Sequence, residues 1–186
     1  MCSSVFTHRR KNIGEAKVGL TKHHSGVPPS FEKFLEFRIF VDADACPVKQ
    51  EVYRVAKRYG LRVTLVAGSR LYVPDNPAVA LEIVGQGMDM ADNWIVERVE
   101  TDDIVITGDI PLAARCLKKG AFVLSFAGKP LSEDNIGPIL ATRDLLSKLR
   151  ETGEITGGPA PFQPKDRSRF LRELDETIGR IRRSRE

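Results

Sequence analysis

The sequence predicts an α/β fold with three layers, in which helices cover both faces of a mainly parallel sheet. Short apolar runs rich in Val and Ile alternate with segments whose apolar residues recur at the three- or four-residue spacing of a helix. Glycine and proline separate many of these segments. Strands that alternate with helices form right-handed βαβ units, and such units build a parallel sheet. The resulting expectation is a three-layer α/β/α domain with a further helix at the carboxyl end.

Three strands and two helices are predicted in the first half of the domain. Residues 37–42 form an apolar strand, and the helix after it begins near Pro47, because proline is well tolerated in a first helical turn. Gly60 is the predicted stop of that helix. The elements that follow are a strand at 61–67, an extended loop at 71–78 with two prolines, a strand at 79–84, and a helix with Met88, Ala91, Ile95 and Val99 on its buried side.

The second half continues the alternation. A strand at 104–107 leads into a helix that starts at Asp109 and ends near Gly120. A fifth strand at 121–125 precedes a longer helix at about 132–150. The segment 153–164 is too rich in glycine and proline to be regular. The terminal helix, from about residue 166, places apolar side chains at helical spacing, namely Phe170, Leu171, Leu174, Ile178 and Ile181.

Length and composition indicate one domain with a real core. The chain has 186 residues, of which 41% are hydrophobic and 29% charged. Residues 1–36 lack any period, and we expect a disordered extension, or one that begins at a start codon assigned too early. Residues 37–152 form the predicted α/β domain, and residues 153–186 form a loop and a helix that packs on it.

Charge and cysteine content limit the possible partners and compartments. Residues 1–38 contain seven Lys or Arg and three Asp or Glu, which accounts for the whole net charge of +4. The three cysteines are widely spaced and favour neither a disulfide framework nor a zinc site, so a reducing cytoplasm is expected. No apolar run approaches the ~18 to 20 residues of a membrane span. Nothing in the sequence demands dimerisation, and the oligomeric state stays open.

Five aspartates stand directly after predicted strands or in the helix that follows one. Functional groups gather outside the carboxyl ends of parallel strands, so these side chains are expected at one edge of the sheet. Clustered carboxylates repel one another and persist mainly when a cation neutralises them. All three histidines lie before residue 25, which leaves carboxylates as ligands. The sequence therefore predicts an Mg²⁺ or Mn²⁺ site for phosphate chemistry, formed by Asp42, Asp44, Asp89, Asp92 and Asp109.

Each acid also has a structural interpretation. Asp44 could cap the helix that begins near Pro47, and Asp109 could cap the helix at Pro111. The helix dipole favours negative charge in a first turn, and this alone could explain one of the two acids Asp89 and Asp92. Asp42 has the weakest alternative, because an acid at the end of an apolar strand would cost several kcal/mol without a counter-charge.

Phosphate-binding groups are expected near the same edge. They are Thr107, Ser69, Arg70, Lys49, Arg167 and Arg169, although each cation could instead be a solvated surface charge. Cys46 precedes a helix, but no histidine of the domain can activate it, so an inert thiol is the expectation.

Several motifs resemble one known family. They are Ile39-Phe40-Val41-Asp42-Ala43-Asp44-Ala45-Cys46-Pro47-Val48, Met88-Asp89-Met90-Ala91-Asp92, Ile106-Thr107-Gly108-Asp109-Ile110-Pro111-Leu112-Ala113, Gly158-Pro159-Ala160-Pro161-Phe162 and Asp166-Arg167-Ser168-Arg169-Phe170. Together they resemble the YaiI/YqxD family of uncharacterised bacterial proteins, which is similar to PIN-like nucleases. The resemblance covers residues 37 to about 180.

This resemblance implies a PIN-like α/β/α fold with Mg²⁺ or Mn²⁺ bound by Asp42, Asp92 and Asp109, and with Asp44 and Asp89 as supplementary acids. Many PIN-like enzymes carry a further acid in the helix after the first strand, and Glu51 is the only candidate for it. The resemblance implies a metal-dependent nuclease or phosphodiesterase, with RNA favoured over DNA as the nucleic-acid partner.

Two other functions compete with a nuclease. A phosphatase with an aspartate nucleophile also uses Asp-x-Asp after a first strand, but it needs another acid soon after Asp109, and the next one is Glu133. A module that binds nucleic acid or metal without catalysis could also retain the acids.

Overall fold

A single six-stranded sheet forms the centre of the protein. The computed structural model describes residues 37–85, 87, 89–154 and 161–186. The strand order is β3-β2-β1-β4-β5-β6, and every neighbouring pair is parallel except β5 with β6. The strands are β1 (Ile39–Asp42), β2 (Val63–Ala67), β3 (Val79–Ile83), β4 (Ile104–Ile106), β5 (Phe122–Leu124) and β6 (Pro130–Leu131). The helices are α1 (Lys49–Tyr59), α2 (Met90–Arg98), α3 (Ile110–Leu117), α4 (Glu133–Glu151) and α5 (Pro164–Ser184).

Strand β1 lies in the middle of the sheet because its apolar residues can be buried on both faces. Side chains alternate along a strand. Ile39 and Val41 therefore pack into one apolar cluster, and Phe40 packs into the other. In register, Asp42 lies opposite Val66 of β2, and Val41 lies opposite Ile106 of β4. The acidic end of β1 is consequently flanked by the ends of two parallel strands.

Helices cover both faces of the sheet. On one face, α1 and α5 pack together, and α5 buries Phe170, Leu174, Ile178 and Ile181. On the other face, the apolar cluster contains residues of α2 and α3, and α4 packs against α3. The predicted three-layer α/β/α class with a carboxyl-terminal helix is thus confirmed.

The observed elements can be compared with the predicted ones in three places. The antiparallel strand β6 was not predicted, because two residues are too short to show a period. The longer helix predicted at about 132–150 is α4, and no residue of that helix is fully buried. The connection from β2 to β3 is an extended loop without a helix, as its prolines indicated. The expected extension at 1–36, Met88 and the Gly158-Pro159-Ala160 part of the fourth motif lie outside the described residues.

Within the described ranges, none of the helices combines the length and the apolar character that crossing a bilayer requires.

Candidate metal centre

Thr107 links the ends of two neighbouring strands. It follows β4 directly and is fully buried. Its hydroxyl donates to Asp42 Oδ2 over 2.9 Å and accepts from the backbone N–H of Asp109, also over 2.9 Å. The hydroxyl therefore orients a carboxylate of β1 and the turn that begins α3. This places two of the three acids with a proposed central role around one buried side chain.

Asp42 is a carboxylate held in a poorly solvated position. Burial raises its pKa, and the hydrogen bond from Thr107 partly opposes that rise. The neighbouring charges of Asp44 and Asp109 raise the pKa further. Asp42 thus experiences other carboxylates at short range, as expected for acids that share one edge of the sheet.

Asp109 serves as a helix cap and as part of the acidic edge. The acidic edge comprises Asp42, Asp44, Asp89, Asp92 and Asp109. Its Oδ1 accepts from the backbone N–H of Leu112 over 2.8 Å, and Asp109 is the N-cap of α3. The structural interpretation of this residue is therefore correct. Its charge nevertheless raises the pKa of both Asp42 and Asp92. Capping and participation in the cluster are compatible, because the cap uses only one of the two carboxylate oxygens.

Asp92 has the largest pKa shift among the aspartates of the cluster. It lies in the first turn of α2, and its pKa is raised to about 6. Burial is the main cause, followed by repulsion from Asp109, Asp42 and Asp89, while Arg115 acts in the opposite direction. A carboxylate stabilised only by the helix dipole would have a lowered pKa. The shift of Asp92 therefore reflects its acidic neighbours more than the helix terminus.

Asp89 has a left-handed backbone conformation at the start of α2, with φ of 60°. It is the N-cap residue, but its side chain makes no capping hydrogen bond. Aspartate tolerates this conformation better than most residues, although it still costs free energy. The carboxylate is exposed and raises the pKa of Asp92. Helix capping by the side chain therefore does not explain this acid.

Asp44 connects the loop after β1 to the end of β2. Its Oδ2 accepts from the backbone N–H of Gly68 over 2.9 Å. The N-cap of α1 is Val48, so Asp44 does not cap that helix. A Cβ at Gly68 would lie 3.3 Å from the carbonyl oxygen of Gly85 and 3.5 Å from the Asp44 carboxylate. Glycine at this position lets the backbone approach the carboxylate closely.

The groups predicted to bind phosphate divide into two sets. Lys49 Nζ donates to the carbonyl oxygen of Ala43 over 2.9 Å, which holds the ammonium beside the end of β1. Ser69 and Arg70 are exposed and follow β2 at the same edge. In contrast, the Arg167 and Arg169 guanidinium groups are paired within the protein, with Glu51 at 2.7 Å and with Asp166 at 3.1 Å. Their positive charge is thereby largely offset.

Glu51 is the candidate for the further acid that many PIN-like enzymes carry in the helix after the first strand. It is buried in α1, its Oε1 accepts from Arg167, and its Oε2 has no hydrogen-bond partner among the described residues. The nearby Cys46 thiol is buried, which raises its pKa to about 11, and the charges of Asp42 and Glu51 add to the rise. Such a thiol is unreactive near neutral pH, as expected.

The acids interact, but they do not form a finished ligand set. In the parts of the chain that the structure describes, no three His, Cys, Asp or Glu side chains converge closely enough to hold a metal ion directly. The chemistry of the donors nevertheless suits a hard cation, because carboxylate oxygens predominate and the one nearby thiol is buried and protonated. Mg²⁺ keeps several of its waters, so a site with few direct protein ligands is compatible with it.

Comparisons with known proteins agree with the motifs. The profile of a family described as "Uncharacterized BCR, YaiI/YqxD family" matches residues 40–180. A UPF0178 protein of Rhodopseudomonas palustris strain HaA2 is 60% identical over 148 residues, which cover 80% of this chain and 90% of the relative. A UPF0178 protein of Nitrobacter winogradskyi is 57% identical over 147 residues, or 79% of this chain and 94% of the relative. No solved structure matches the chain. The chain therefore belongs to the YaiI/YqxD family of uncharacterised bacterial proteins.

Proposed function

We propose that this protein is a metal-dependent phosphodiesterase that hydrolyses nucleic acid, with RNA as the favoured substrate. The observation that carries the proposal is the buried Thr107 hydroxyl, which donates to the Asp42 carboxylate and accepts from the backbone N–H of Asp109. The pKa of Asp92, raised to about 6 by burial and then by the charges of Asp109 and Asp42, supports it. Acids from β1, from the first turn of α2 and from the cap of α3 repel one another at one edge of the sheet. Such an arrangement costs stability, and binding of a cation would relieve that cost.

Asp42, Asp92 and Asp109 would hold an Mg²⁺ or Mn²⁺ ion through its bound waters as well as by direct contact, and Asp44 and Asp89 would bind further waters. A bound divalent ion supplies Lewis-acid activation of a phosphate and lowers the pKa of a bound water. The resemblance of these positions to the acids of PIN-like nucleases supports the same assignment.

The roles of the protein's own groups follow from their contacts. The hydroxyl of Thr107 orients the Asp42 carboxylate and fixes the backbone at Asp109. The Lys49 ammonium lies beside the end of β1, where it can neutralise a phosphate oxygen. Arg70, exposed after β2, can approach the same anion from the solvent side.

An aspartate-nucleophile phosphatase is less compatible with this geometry. That reaction needs another carboxylate close after Asp109, and the next acid in the sequence is Glu133. Glu133 is exposed in the first turn of α4, beyond β5 and β6. A binding module without catalysis remains the alternative that an experiment must distinguish.

The decisive experiment is cleavage of labelled single-stranded RNA with Mg²⁺ or Mn²⁺ present. Asp42→Asn and Asp92→Asn should each lower the rate by at least about 100-fold, because each removes a proposed metal ligand. Asp75→Asn is the matched control, since Asp75 is an exposed acid of the β2–β3 loop. Cleavage that persists unchanged in Asp42→Asn would refute the proposed site.

A binding measurement separates catalysis from metal affinity. Mn²⁺ should raise the melting temperature of the wild-type protein and of Asp75→Asn, because a ligand that binds only the folded state stabilises it. The rise should be much smaller for Asp92→Asn. A rise in the melting temperature of the wild type without any RNA cleavage would favour a metal-binding module. No shift at all would exclude the metal centre.

A further inference from the structure

A groove begins at the acidic edge and runs along α4. Its volume is about 750 Å³, which falls within the range of ligand sites in proteins. Gly108, which lies between Thr107 and Asp109, is one of its lining residues. A Cβ at this position would lie 2.9 Å from the ring of Phe126, so only glycine leaves the backbone open there without displacing the ring. The groove is also lined by Ile110, Lys129, Ile139, Arg143 and Leu146.

One wall of the groove is apolar and incompletely covered. Ile139 and Leu146 come from α4, a helix without a fully buried residue, and Leu146 is 36% exposed. Ile110, at the start of α3, faces the same space and is only half-buried. Since apolar groups that form one continuous surface are rarely left in water, this wall is suited to cover the flat face of a ligand.

The groove also carries positive charge. Lys129 is exposed, and its ammonium has no ion pair among the described residues. Arg143 contacts Asp144 at 3.6 Å, with both side chains about half exposed or more, and such a surface pair is worth little. Both cations are therefore available to an anion. They line the same cavity as Gly108, the neighbour of Asp109.

We propose that this groove binds the nucleotide next to the scissile phosphate of a single-stranded nucleic acid. Lys129 and Arg143 would neutralise a flanking phosphate, and the apolar wall would cover an unstacked base. A neutral apolar ligand would leave both cations without a partner. A duplex keeps its bases stacked inside and could not use the wall. This inference rests on the proposed function, because it takes the acidic edge as the place where the chain is cut.

Binding can be tested without catalysis. Metal-free Asp42→Asn protein would be titrated into a short fluorescein-labelled oligouridylate, and fluorescence anisotropy would report the dissociation constant at several salt concentrations. Lys129→Glu combined with Arg143→Glu should weaken binding by roughly tenfold or more. It should also lower the slope of log affinity against log salt concentration by about 0.7, which is the contribution of one neutralised phosphate of a single strand.

The matched control is Arg62→Glu combined with Lys118→Glu. It changes the net charge by the same amount, but both residues are exposed at the opposite edge of the sheet, before β2 and after α3. Leu146→Gln tests the wall separately and should weaken binding about threefold or more, because it removes part of the apolar surface that covers the base. The salt slope should not change, because the substitution leaves the charge unchanged. Circular dichroism would verify that each variant is folded.

Equal weakening in the two double variants would overturn the proposal, because general charge would then explain the binding. Unchanged affinity in the groove variants would overturn it as well. Equal affinity for a duplex of the same sequence would exclude the single-stranded ligand. Groove-dependent binding without any cleavage by the wild-type protein would uphold the groove and refute the proposed hydrolysis, so the two failures are distinguishable.

Discussion

Thr107 and Asp42 are joined by a hydrogen bond of 2.9 Å that crosses from the end of β4 to the end of β1. The two residues are 65 positions apart in sequence. The donor is fully buried, and the acceptor is a carboxylate whose pKa is raised by burial. This bond is the most direct contact between the strand ends that carry the acids.

Removing the Thr107 hydroxyl should destabilise the protein and raise the pKa of Asp42 further. Thr107→Val leaves a half-buried carboxylate without its donor, which should lower the free energy of unfolding by about 1 to 3 kcal/mol. Because the pKa of Asp42 is already raised, its ionisation costs stability as pH rises through that pKa. The Thr107 hydroxyl stabilises the ionised form of Asp42. The loss of unfolding free energy in Thr107→Val should therefore be smaller in acid, where Asp42 is protonated, than at neutral pH.

Urea denaturation at neutral and at acid pH would measure this penalty. Thr107→Ser is the matched control, because it retains the hydroxyl and loses only a methyl group. A loss of stability in Thr107→Ser as large as that in Thr107→Val would show that packing, and not the bond to Asp42, is responsible.

The titration of Asp92 should respond to Asp109. The pKa of Asp92 is about 6, and repulsion from Asp109 is the first electrostatic cause after burial. Asp109→Asn removes that charge and keeps a good N-cap for α3. The pKa of Asp92, followed by NMR of its carboxyl carbon, should fall toward the ordinary value of about 3.9. Asp75→Asn should leave it unchanged, and an equal lack of response to Asp109→Asn would mean that the two acids do not interact.

The raised pKa of Asp92 also makes the stability of the protein depend on pH. The folded-state pKa of Asp92 is raised, so the protein should be most stable with respect to this group below about pH 3.9 and should lose that stability as pH rises through about 6. Asp92→Asn should consequently be more stable than the wild type at neutral pH, by only about 1 kcal/mol because the group is partly solvated. The two proteins should converge in acid. A destabilised Asp92→Asn at neutral pH would contradict the origin assigned to the shift.

The sequence predicted the parts of this fold that depend on local patterns. Apolar runs ended by Asp42 and by Thr107-Gly108-Asp109 identified the two strands at the acidic edge, because burial on both faces of a parallel strand leaves a continuous apolar run. The expectation that the acids lie at one edge of the sheet came from the rule for parallel sheets. The two-residue strand β6 was missed because it is shorter than any periodic signal.

What the sequence could not provide was the pairing of remote charges. Arg167 was expected to bind phosphate, yet its partner is Glu51, 116 positions away. Such a pair depends on how α5 packs against α1, and no local pattern encodes that packing. The distances between the acids likewise depend on loop geometry, such as the left-handed backbone at Asp89.

Replacement by alanine should have opposite effects at two glycines, one in a turn and one inside a helix. Gly128 has φ of +67°, and a Cβ there would lie 2.5 Å from the backbone nitrogen of Phe170 in α5. Gly128→Ala should lower the free energy of unfolding by about 2 to 4 kcal/mol, because both the conformation and the contact are unfavourable. Gly137 lies inside α4, and apart from its chain neighbours nothing lies within 4 Å of a Cβ built there. Gly137→Ala should stabilise the protein by about 0.5 kcal/mol, less than an ordinary helical glycine would give, because the following Pro138 crowds a Cβ at this position. Chemical denaturation of both variants would check the opposite signs.

The Glu51–Arg167 pair should matter more for stability than an ordinary surface pair. Glu51 is 6% exposed, and its Oε2 already lacks a hydrogen-bond partner among the described residues. Arg167→Met would remove the guanidinium that lies 2.7 Å from this buried carboxylate. Because the guanidinium is partly solvated, we expect a loss of about 1 to 3 kcal/mol rather than the larger cost of breaking a fully buried pair.

Arg172→Met provides the control for this prediction, since Arg172 lies on the same helix and makes only an exposed contact with Glu176 at 3.8 Å. Its effect should stay within about 0.5 kcal/mol. Adding Glu51→Gln to Arg167→Met should recover part of the loss, because the variant then buries no unpaired charge. If Arg167→Met and Arg172→Met proved equally mild in urea denaturation, the pair would contribute nothing to holding α5 on α1, and Arg167 would again be available to bind phosphate.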